Sequence, residues 1–586
     1  MFTIFKKLAW FFKLKWKSTL GAVAGLIACA LLSAYIPLVI GEVVDEFANK
    51  TLSQASLTRY IIILLAVGLA MYILRNIWRT LLFGNSTKLE YILRKRLFNH
   101  LTKMDQEFYN QHRTGDLMAH ATNDLAAIRF VAGGGILTLT DSLSITLATL
   151  FSMFIVIDWK LSLLTIIPFP FLFLASRYLG KKIRTTFRGS LESFSKLNDH
   201  VQESVAGINV IKAFGEEKDD YLDFVAATDN VVDKNEKVYR YDSAYGPVID
   251  TITGLTYVLT IFFGTFFVQS GRISIGQLIA FFSYLGNMTW PLIAMGRMVN
   301  TLERGNVSYD RIDALLNETA SVVNPSNATK GLTYQDLQVD IDRFTYPHAE
   351  HDALENIHFH LKDGQTLGLV GKTGSGKSTL FSLLVRNFDV NQGSIKVDGV
   401  ELRRIDLDEI NENIGYISQN NLLFSTTVRD NIRFGRPDMS QEEVEYFAKL
   451  ANVHEDILGF ADGYDTLVGE RGVSLSGGQK QRVSIARTLA INPKILIMDD
   501  ALSAVDAKTE KIILNNLKDH RKGGITIIGT HRISSVMHAN ETLVLENGRV
   551  IERGNHTELL AIDGWYNNMF QQQQLEQKLE GGDLNE

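Results

Sequence analysis

The chain has 586 residues, of which 46% are hydrophobic and 21% charged, and its formal net charge is −6. A single core seldom holds that many residues, so at least two domains are expected. The acidic balance gives no global basic surface for nucleic acid. A lone cysteine, Cys29, excludes an intramolecular disulfide and leaves a cysteine-based zinc site without support.

The average composition mixes two unlike halves. Apolar runs dominate up to Met298, and ordinary soluble α/β sequence follows Leu302. Residues 1–17 interleave Lys6, Lys7, Lys13, Lys15 and Lys17 with Trp10, Phe11, Phe12 and Trp16, and no small-residue cleavage site follows. This pattern predicts an amphipathic elbow helix on the cytoplasmic leaflet. Ser18–Gly41, Thr251–Gly271 and Gln277–Gly296 carry no Asp, Glu, Lys or Arg. Each exceeds or matches the ~20 helical residues that cross a bilayer core. Tyr60–Leu74, Val131–Ile157 (interrupted by Asp141) and Leu161–Ser176 are weaker and bring the spans to six. The predicted fold is therefore a multi-domain membrane protein, with an all-α six-helix transmembrane domain over 18–315.

Charged connectors with helical patterning, 84–130 and 177–244, separate spans two from three and four from five. The links Asp158–Lys160 and Gly271–Ile275 are very short. With the N-terminus inside, both long connectors are cytoplasmic. Spans two to five then continue beyond the bilayer into two intracellular loops, and both termini are cytoplasmic.

A linker over 316–335 leads to a predicted α/β P-loop domain over 336–572, and 573–586 is a polar tail. The polar stretch from Gln571 reads as a frayed helix without an assigned function. Leu367–Val370 is strand-like and runs into Gly371, Lys372, Thr373, Gly374, Ser375, Gly376, Lys377, Ser378 and Thr379, followed by a helical apolar pattern. Strand, Gly-rich loop and helix in that order form a phosphate cradle. The glycines let backbone N–H groups close on phosphate oxygens, Lys377 reaches the β/γ phosphates, and Ser378 ligates Mg²⁺. Ile495–Met498 is a second buried strand that delivers Asp499, the acid a Mg²⁺ site needs. Leu475, Ser476, Gly477, Gly478 and Gln479 open another helix and offer a second phosphate site by the same physics.

These motifs, in this order, resemble an ATP-binding cassette (ABC) exporter half-transporter over nearly the whole chain. The fold implied is the type IV exporter membrane domain followed by an ABC nucleotide-binding domain. The resemblance makes Gly371–Thr379 the Walker A segment, Gln419 the Q-loop residue, Leu475–Gln479 the signature and Ile495–Asp499 Walker B. It makes Ser503–Asp506 the D-loop and His531 the switch. It implies ATP and Mg²⁺ as cofactors. Mg²⁺ would be held by Ser378, Gln419 and Asp499, and catalytic work falls to Asp500, His531 and Gln419. Tyr346 fits the residue that stacks on adenine. Thr466–Gly472 resembles the loop that touches the intracellular loops. Gly115–Leu117 and Glu203–Ile211 resemble the two intracellular-loop motifs. In the family, ATP lies between Walker A of one domain and the signature of a second. One copy of each, as here, implies a dimer.

The chain departs from the pattern at Asp500, where the family has Glu. The shorter carboxylate sits one methylene back, and displacements of about 1 Å at a reacting centre cost on the order of 10²-fold in rate. The site built on these Walker motifs is therefore expected to bind ATP and hydrolyse it poorly. The intact signature would complete a competent site on a different partner chain. This resembles the degenerate-site subunit of heterodimeric bacterial multidrug exporters, placing the chain in a bacterial plasma membrane. Two further readings share the architecture: a flippase for lipids or lipid-linked molecules, and a homodimeric exporter.

Span aromatics such as Phe151, Phe154, Phe262, Phe263, Phe266, Phe267, Phe281, Phe282, Tyr284 and Trp290 suit apolar or cationic small substrates, or simply face lipid and neighbouring helices. Asp141, Asp250, Arg75 and Arg79 lie within or at the edge of spans. They read either as lining a wet cavity, with Asp141 attracting cations, or as an internal Asp–Arg pair and snorkelling arginines.

Overall fold

The computed structural model describes residues 3–469, 475–521 and 523–582. The chain forms two compact units, Met1–Thr102 with Thr114–Glu318, and Lys103–Arg113 with Thr319–Glu586.

The first unit is helical. Among the described residues, six helices are long and apolar enough to cross a membrane: α1 (Trp16–Ala48), α2 (Gln54–Leu101), α3 (Thr114–Ile157), α4 (Trp159–Ala206), α5 (Glu217–Gln269) and α6 (Ile275–Asn317). All but α1 exceed 40 residues, far more than a bilayer needs. α1 packs against α2 and α6, and α4 against α5. The turns between helices carry their own stop and start signals. Asp158 leaves the helical region and its carboxylate accepts from Lys160 N and Leu161 N at 2.8 and 3.0 Å, starting α4. Ser274 and Gln277 cap α6 reciprocally, with both hydrogen bonds at 2.9 Å. The α3 span contains three π-helical stretches, His120–Asp124, Val131–Gly135 and Ser152–Ile157. α1 and α6 touch backbone to backbone at Gly41 and Gly276. A Cβ on Gly276 would lie 1.9 Å from the Gly41 carbonyl oxygen. Asp45 reinforces that contact by accepting from the Ser274 hydroxyl and from Gly276 N at 2.7 Å.

The N-terminal elbow is two short helices, Thr3–Lys7 and Ala9–Leu14, rather than one. Its i, i+4, i+7 stripe of Ile4, Leu8 and Phe11 is fully buried against protein. Lys7 Nζ donates to Asn306 and Asp310 on α6 at 2.7 and 2.5 Å, and Arg96 lies 4.4 Å over the Trp10 ring. The span aromatics divide. Phe281 and Tyr284 are buried among helices, whereas Phe151, Phe262, Phe266 and Trp290 are exposed.

Among its described residues the second unit holds two sheets. An antiparallel one runs β2 (Leu354–Lys362), β1 (Asp336–Phe344), β4 (Gln392–Val397), β5 (Val400–Glu401). The larger sheet runs β10 (Arg549–Gly554), β9 (Glu541–Glu546), β3 (Thr366–Gly371), β8 (Ile525–Thr530), β7 (Ile495–Asp499), β6 (Ile414–Ile417). All of its strands but β10 are parallel. Parallel strands are covered on both faces, which is why β3 and β7 read as uninterrupted apolar runs. Helices α7 (Lys377–Leu384), α8 (Gly477–Ala490), α9 (Ala507–His520) and α10 (Trp565–Gly582) accompany the sheets.

Lys103–Arg113, expected as part of the membrane domain's first connector, groups with this unit instead. The reason is Asp105. Its carboxylate caps the short helix Gln106–Gln111 at Phe108 N and also accepts from Ser321 N, Ser321 Oγ and Val322 N at 2.5–3.0 Å. Those hydrogen bonds outweigh its burial and hold the carboxyl below the usual range. Gly115–Leu117 begins α3 in the helical unit, and Gly207 breaks the chain between α4 and the short helix Ile208–Phe214.

Candidate functional site

Register in the parallel sheet brings the functional segments to one edge. β8 lies between β3 and β7, with Val370 opposite Thr530 and Gly529 opposite Asp499. Three strand tips therefore end together: Gly371 with the Walker A loop, Asp499–Asp500, and Thr530–His531. Carboxyl ends of parallel strands are where α/β sheets bind ligands.

In the Walker A loop, Gly374 and Gly376 have φ of +81° and +107°, a region that a side chain strains. Gly376 caps α7, so the helix N-terminus opens onto the loop. The Lys377 ammonium is buried and donates to the carbonyls of Gly371 and Lys372 at 2.8 and 3.2 Å. Burial pushes its pKa down, against the pull of Asp500 and Asp499. Ser375 Oγ is buried and has no hydrogen-bond partner among the described residues. An orphan hydroxyl, a buried ammonium and a helix N-terminus in one loop fit a polyphosphate.

Asp499 is buried, and burial raises its pKa while hydrogen bonds from Ser378 and Tyr416 oppose that. The Tyr416 hydroxyl donates to Asp499 Oδ2 at 3.2 Å. Burial, and then the Asp499 charge, push the Tyr416 phenol up. An apposed hydroxyl and carboxylate suit a hard divalent cation such as Mg²⁺. Gln419 was expected beside them. It is exposed beyond β6, and its carbonyl accepts from Asn421 at 3.3 Å, whereas Tyr416, three residues earlier, bonds Asp499 alongside Ser378. Tyr346 reaches Walker A: its hydroxyl donates to Thr379 Oγ1 at 3.1 Å and its ring stands edge-on to Phe388. Thr373 and Gly374 form the exposed crest of the loop.

Asp500 has φ of +47°, a left-handed conformation that Asp tolerates better than most residues. Its N–H bonds Gly529 O at 2.9 Å. Its two oxygens both face His531: Oδ1 accepts the main-chain N–H and Oδ2 meets Nε2, each at 3.2 Å. Arg532 and Glu510 fix the switch from behind. Arg532 donates to Val505 O at 3.0 Å, to Ser503 O at 3.3 Å and to Glu510 at 2.8 Å. The buried Glu510 also accepts from Ser534 and Ser535.

The signature residues form a second group. Ser476 caps α8 at Gln479 N, Gln479 closes the capping box, and the Gln479 amide reaches Asp456 at 3.1 Å. Gly478 lies against the D-loop, where a Cβ would sit 2.9 Å from Ala504 O. Gln481, fully buried one turn into α8, donates to the Asp500 carbonyl at 3.0 Å and accepts from Ala504 N at 2.9 Å. It joins signature, D-loop and Walker B. Asp506 is exposed, and its side chain caps α9 at Lys508 N and Thr509 N rather than joining the Walker A group. Of the loop Thr466–Gly472, Glu470–Gly472 lies outside the described residues.

Tyr416, Gln481 and Glu510 were not expected from sequence. Gln481 and Glu510 are polar residues on otherwise apolar helix faces, the one signal that marked them.

The ABC transporter transmembrane region matches residues 20–292 and the ABC transporter domain residues 354–503. The multidrug resistance-like ATP-binding protein MdlA of Escherichia coli K12 is 44% identical over 577 residues, 98% of each chain. The probable multidrug resistance ABC transporter ATP-binding/permease protein YheI of Bacillus subtilis 168 is 41% identical over 582 residues, covering 99% of this chain and 100% of that one. A solved bacterial Atm1-family ABC exporter with ATP bound superposes with a TM-score of 0.76 at 25% identity, over 95% of this chain and 98% of that one. With six spanning helices ahead of a Walker-type ATPase domain, and relatives matching from end to end, the chain belongs to the ABC transporters, as a multi-pass membrane exporter that couples ATP hydrolysis to transport.

Proposed function

We propose that this chain is one half of a heterodimeric multidrug exporter, carrying hydrophobic or amphipathic, including cationic, compounds out across the plasma membrane. Its relatives' names, multidrug resistance-like and probable multidrug resistance proteins, support the substrate class. Its own Walker motifs form the slowly hydrolysing site, and its signature completes the partner's competent one.

In this reading Gly371–Thr379 cradles the phosphates, Lys377 neutralises them, and Tyr346 meets the adenine. Ser378 and Asp499 would hold Mg²⁺, and Gln419 would have to leave its exposed position to join them. Bound Mg²⁺ supplies charge neutralisation on the β and γ phosphates. Ser476–Gln479 face the partner's nucleotide.

The observation that carries the slow-site reading is the Asp500 carboxylate. A hydrolytic base has to reach a water lined up on the γ-phosphate. Asp500 is one methylene shorter than Glu, its side chain is only 10% exposed, and both oxygens face His531.

The test is to purify the tagged full chain from its native membrane, read subunit composition by native mass spectrometry, and assay ATPase. The expected complex contains one copy of this chain and a second half-transporter. Glu→Gln after that partner's Walker B Asp should abolish turnover. A complex of twice this chain's 65.7 kDa with full activity overturns the heterodimer.

A further inference from the structure

We propose that Gln573, on the C-terminal helix α10, is a positioning residue for His531. The tail that looked like a frayed polar end reaches the catalytic edge of the sheet. Four glutamines stand in a row, Gln571 to Gln574, and only Gln573 is half-buried. Gln571 and Gln572 bond along their own helix, to Asn567 and Glu576 at 3.3 and 3.1 Å. Gln573 turns inward. Its Oε1 accepts the Ile533 N–H at 2.9 Å and its Nε2 donates to the His531 carbonyl at 2.7 Å. Only one orientation of the amide satisfies both bonds.

The consequence is geometric. The His531 N–H is held by Asp500 Oδ1, and the His531 C=O is held by Gln573. Both sides of the residue's backbone are pinned, so side-chain torsions are what remain free to move the imidazole relative to Asp500. Arg532 and Ser534–Ser535 are pinned separately by the buried Glu510. The anchor is firm, because Trp565, Tyr566, Met569 and Phe570 pack α10 onto the large hydrophobic core. Gln573 thus sets where the imidazole stands without touching nucleotide, and a shift of α10 is passed directly to the switch.

This inference rests on reading His531 as the residue that serves hydrolysis, and the test separates the two. Single-turnover hydrolysis of radiolabelled ATP would be followed with the full-length chain in excess, beside equilibrium binding of a fluorescent ATP analogue. Gln573→Met keeps side-chain length but loses both hydrogen bonds. It should slow hydrolysis about tenfold, the worth of one to two such bonds, with ATP binding unchanged. In a His531→Ala background it should add nothing further. Hydrogen exchange across 531–535 with Mg²⁺ and ATP present should rise in Gln573→Met, a readout independent of how slow the chemistry is. Parental exchange and rate in Gln573→Met, with His531→Ala slow, overturn the inference alone. A His531→Ala chain as fast as the parent overturns the reading of the switch first, and the inference with it. Equal losses from Gln573→Met with and without His531, or losses of ATP binding and melting temperature in step with rate, make Gln573 a structural brace and also overturn it.

Discussion

Asp500 turns both oxygens to His531, Oδ1 accepting the main-chain N–H and Oδ2 lying opposite imidazole Nε2, each at 3.2 Å. A carboxylate with both oxygens turned to one neighbour is poorly placed to accept a proton from water. The backbone supports that arrangement, because Asp500 stands at φ +47° and its carbonyl is tied to the buried Gln481. In the proposed slow-site reading, the short carboxylate is thus also held by a local partner.

Tyr416→Phe removes the hydroxyl that donates to Asp499. Loss of an outer partner of a metal-binding carboxylate typically costs 10–100-fold in metal affinity. The Mg²⁺ concentration for half-maximal ATP binding should rise about tenfold, as measured by titrating Mg²⁺ against a fluorescent ATP analogue. An unchanged Mg²⁺ midpoint contradicts the assignment.

Gln481→Leu fills the same space but strands the Ala504 N–H and the Asp500 carbonyl inside the protein. Each buried unpaired group costs about 1–3 kcal/mol. The nucleotide-binding domain should melt several degrees lower, and residual hydrolysis should fall as the D-loop loosens. A melting temperature equal to the parent's in scanning calorimetry would refute this.

Asp398 receives N–H groups from Thr333, Tyr334, Gln335 and Asp336, and the Thr333 hydroxyl, at 2.8–3.0 Å. Burial opposes ionisation here, yet these bonds hold the carboxyl below its usual value. A depressed folded pKa means the stabilisation is fully present above the unfolded value of about 3.9 and is lost as pH falls through the folded one. Asp398→Asn should therefore destabilise the domain by about 2 kcal/mol at pH 7. The gap to the parent should close below about pH 4. A pH-independent gap in urea melts would contradict the charge-based account.

The sequence read well where function sits on contiguous residues. The segments read as Walker A, Walker B and the signature are contiguous, each at a strand tip or helix start, so their order and their resemblance to the family's motifs placed them in the chain. Long spans were legible because a bilayer demands length and apolarity together. What stayed hidden depends on contacts between distant segments. Nothing near Gln573 in sequence points to His531, some forty positions away, and Tyr416 is one more aromatic in an apolar strand. Lys103–Arg113 reads as connector helix, yet Asp105 ties it to Ser321 and Val322. The elbow's apolar stripe carried the correct period, but period cannot say whether lipid or α6 covers it.

The most direct test of the slow-site account is ATP binding and steady-state ATPase of the full-length chain purified alone. The account predicts saturable Mg²⁺-dependent ATP binding that requires Lys377, without sustained turnover. Sustained turnover by the lone chain at the rate of the native complex, abolished by Asp500→Asn, would contradict it and make Asp500 the working base of a homodimer.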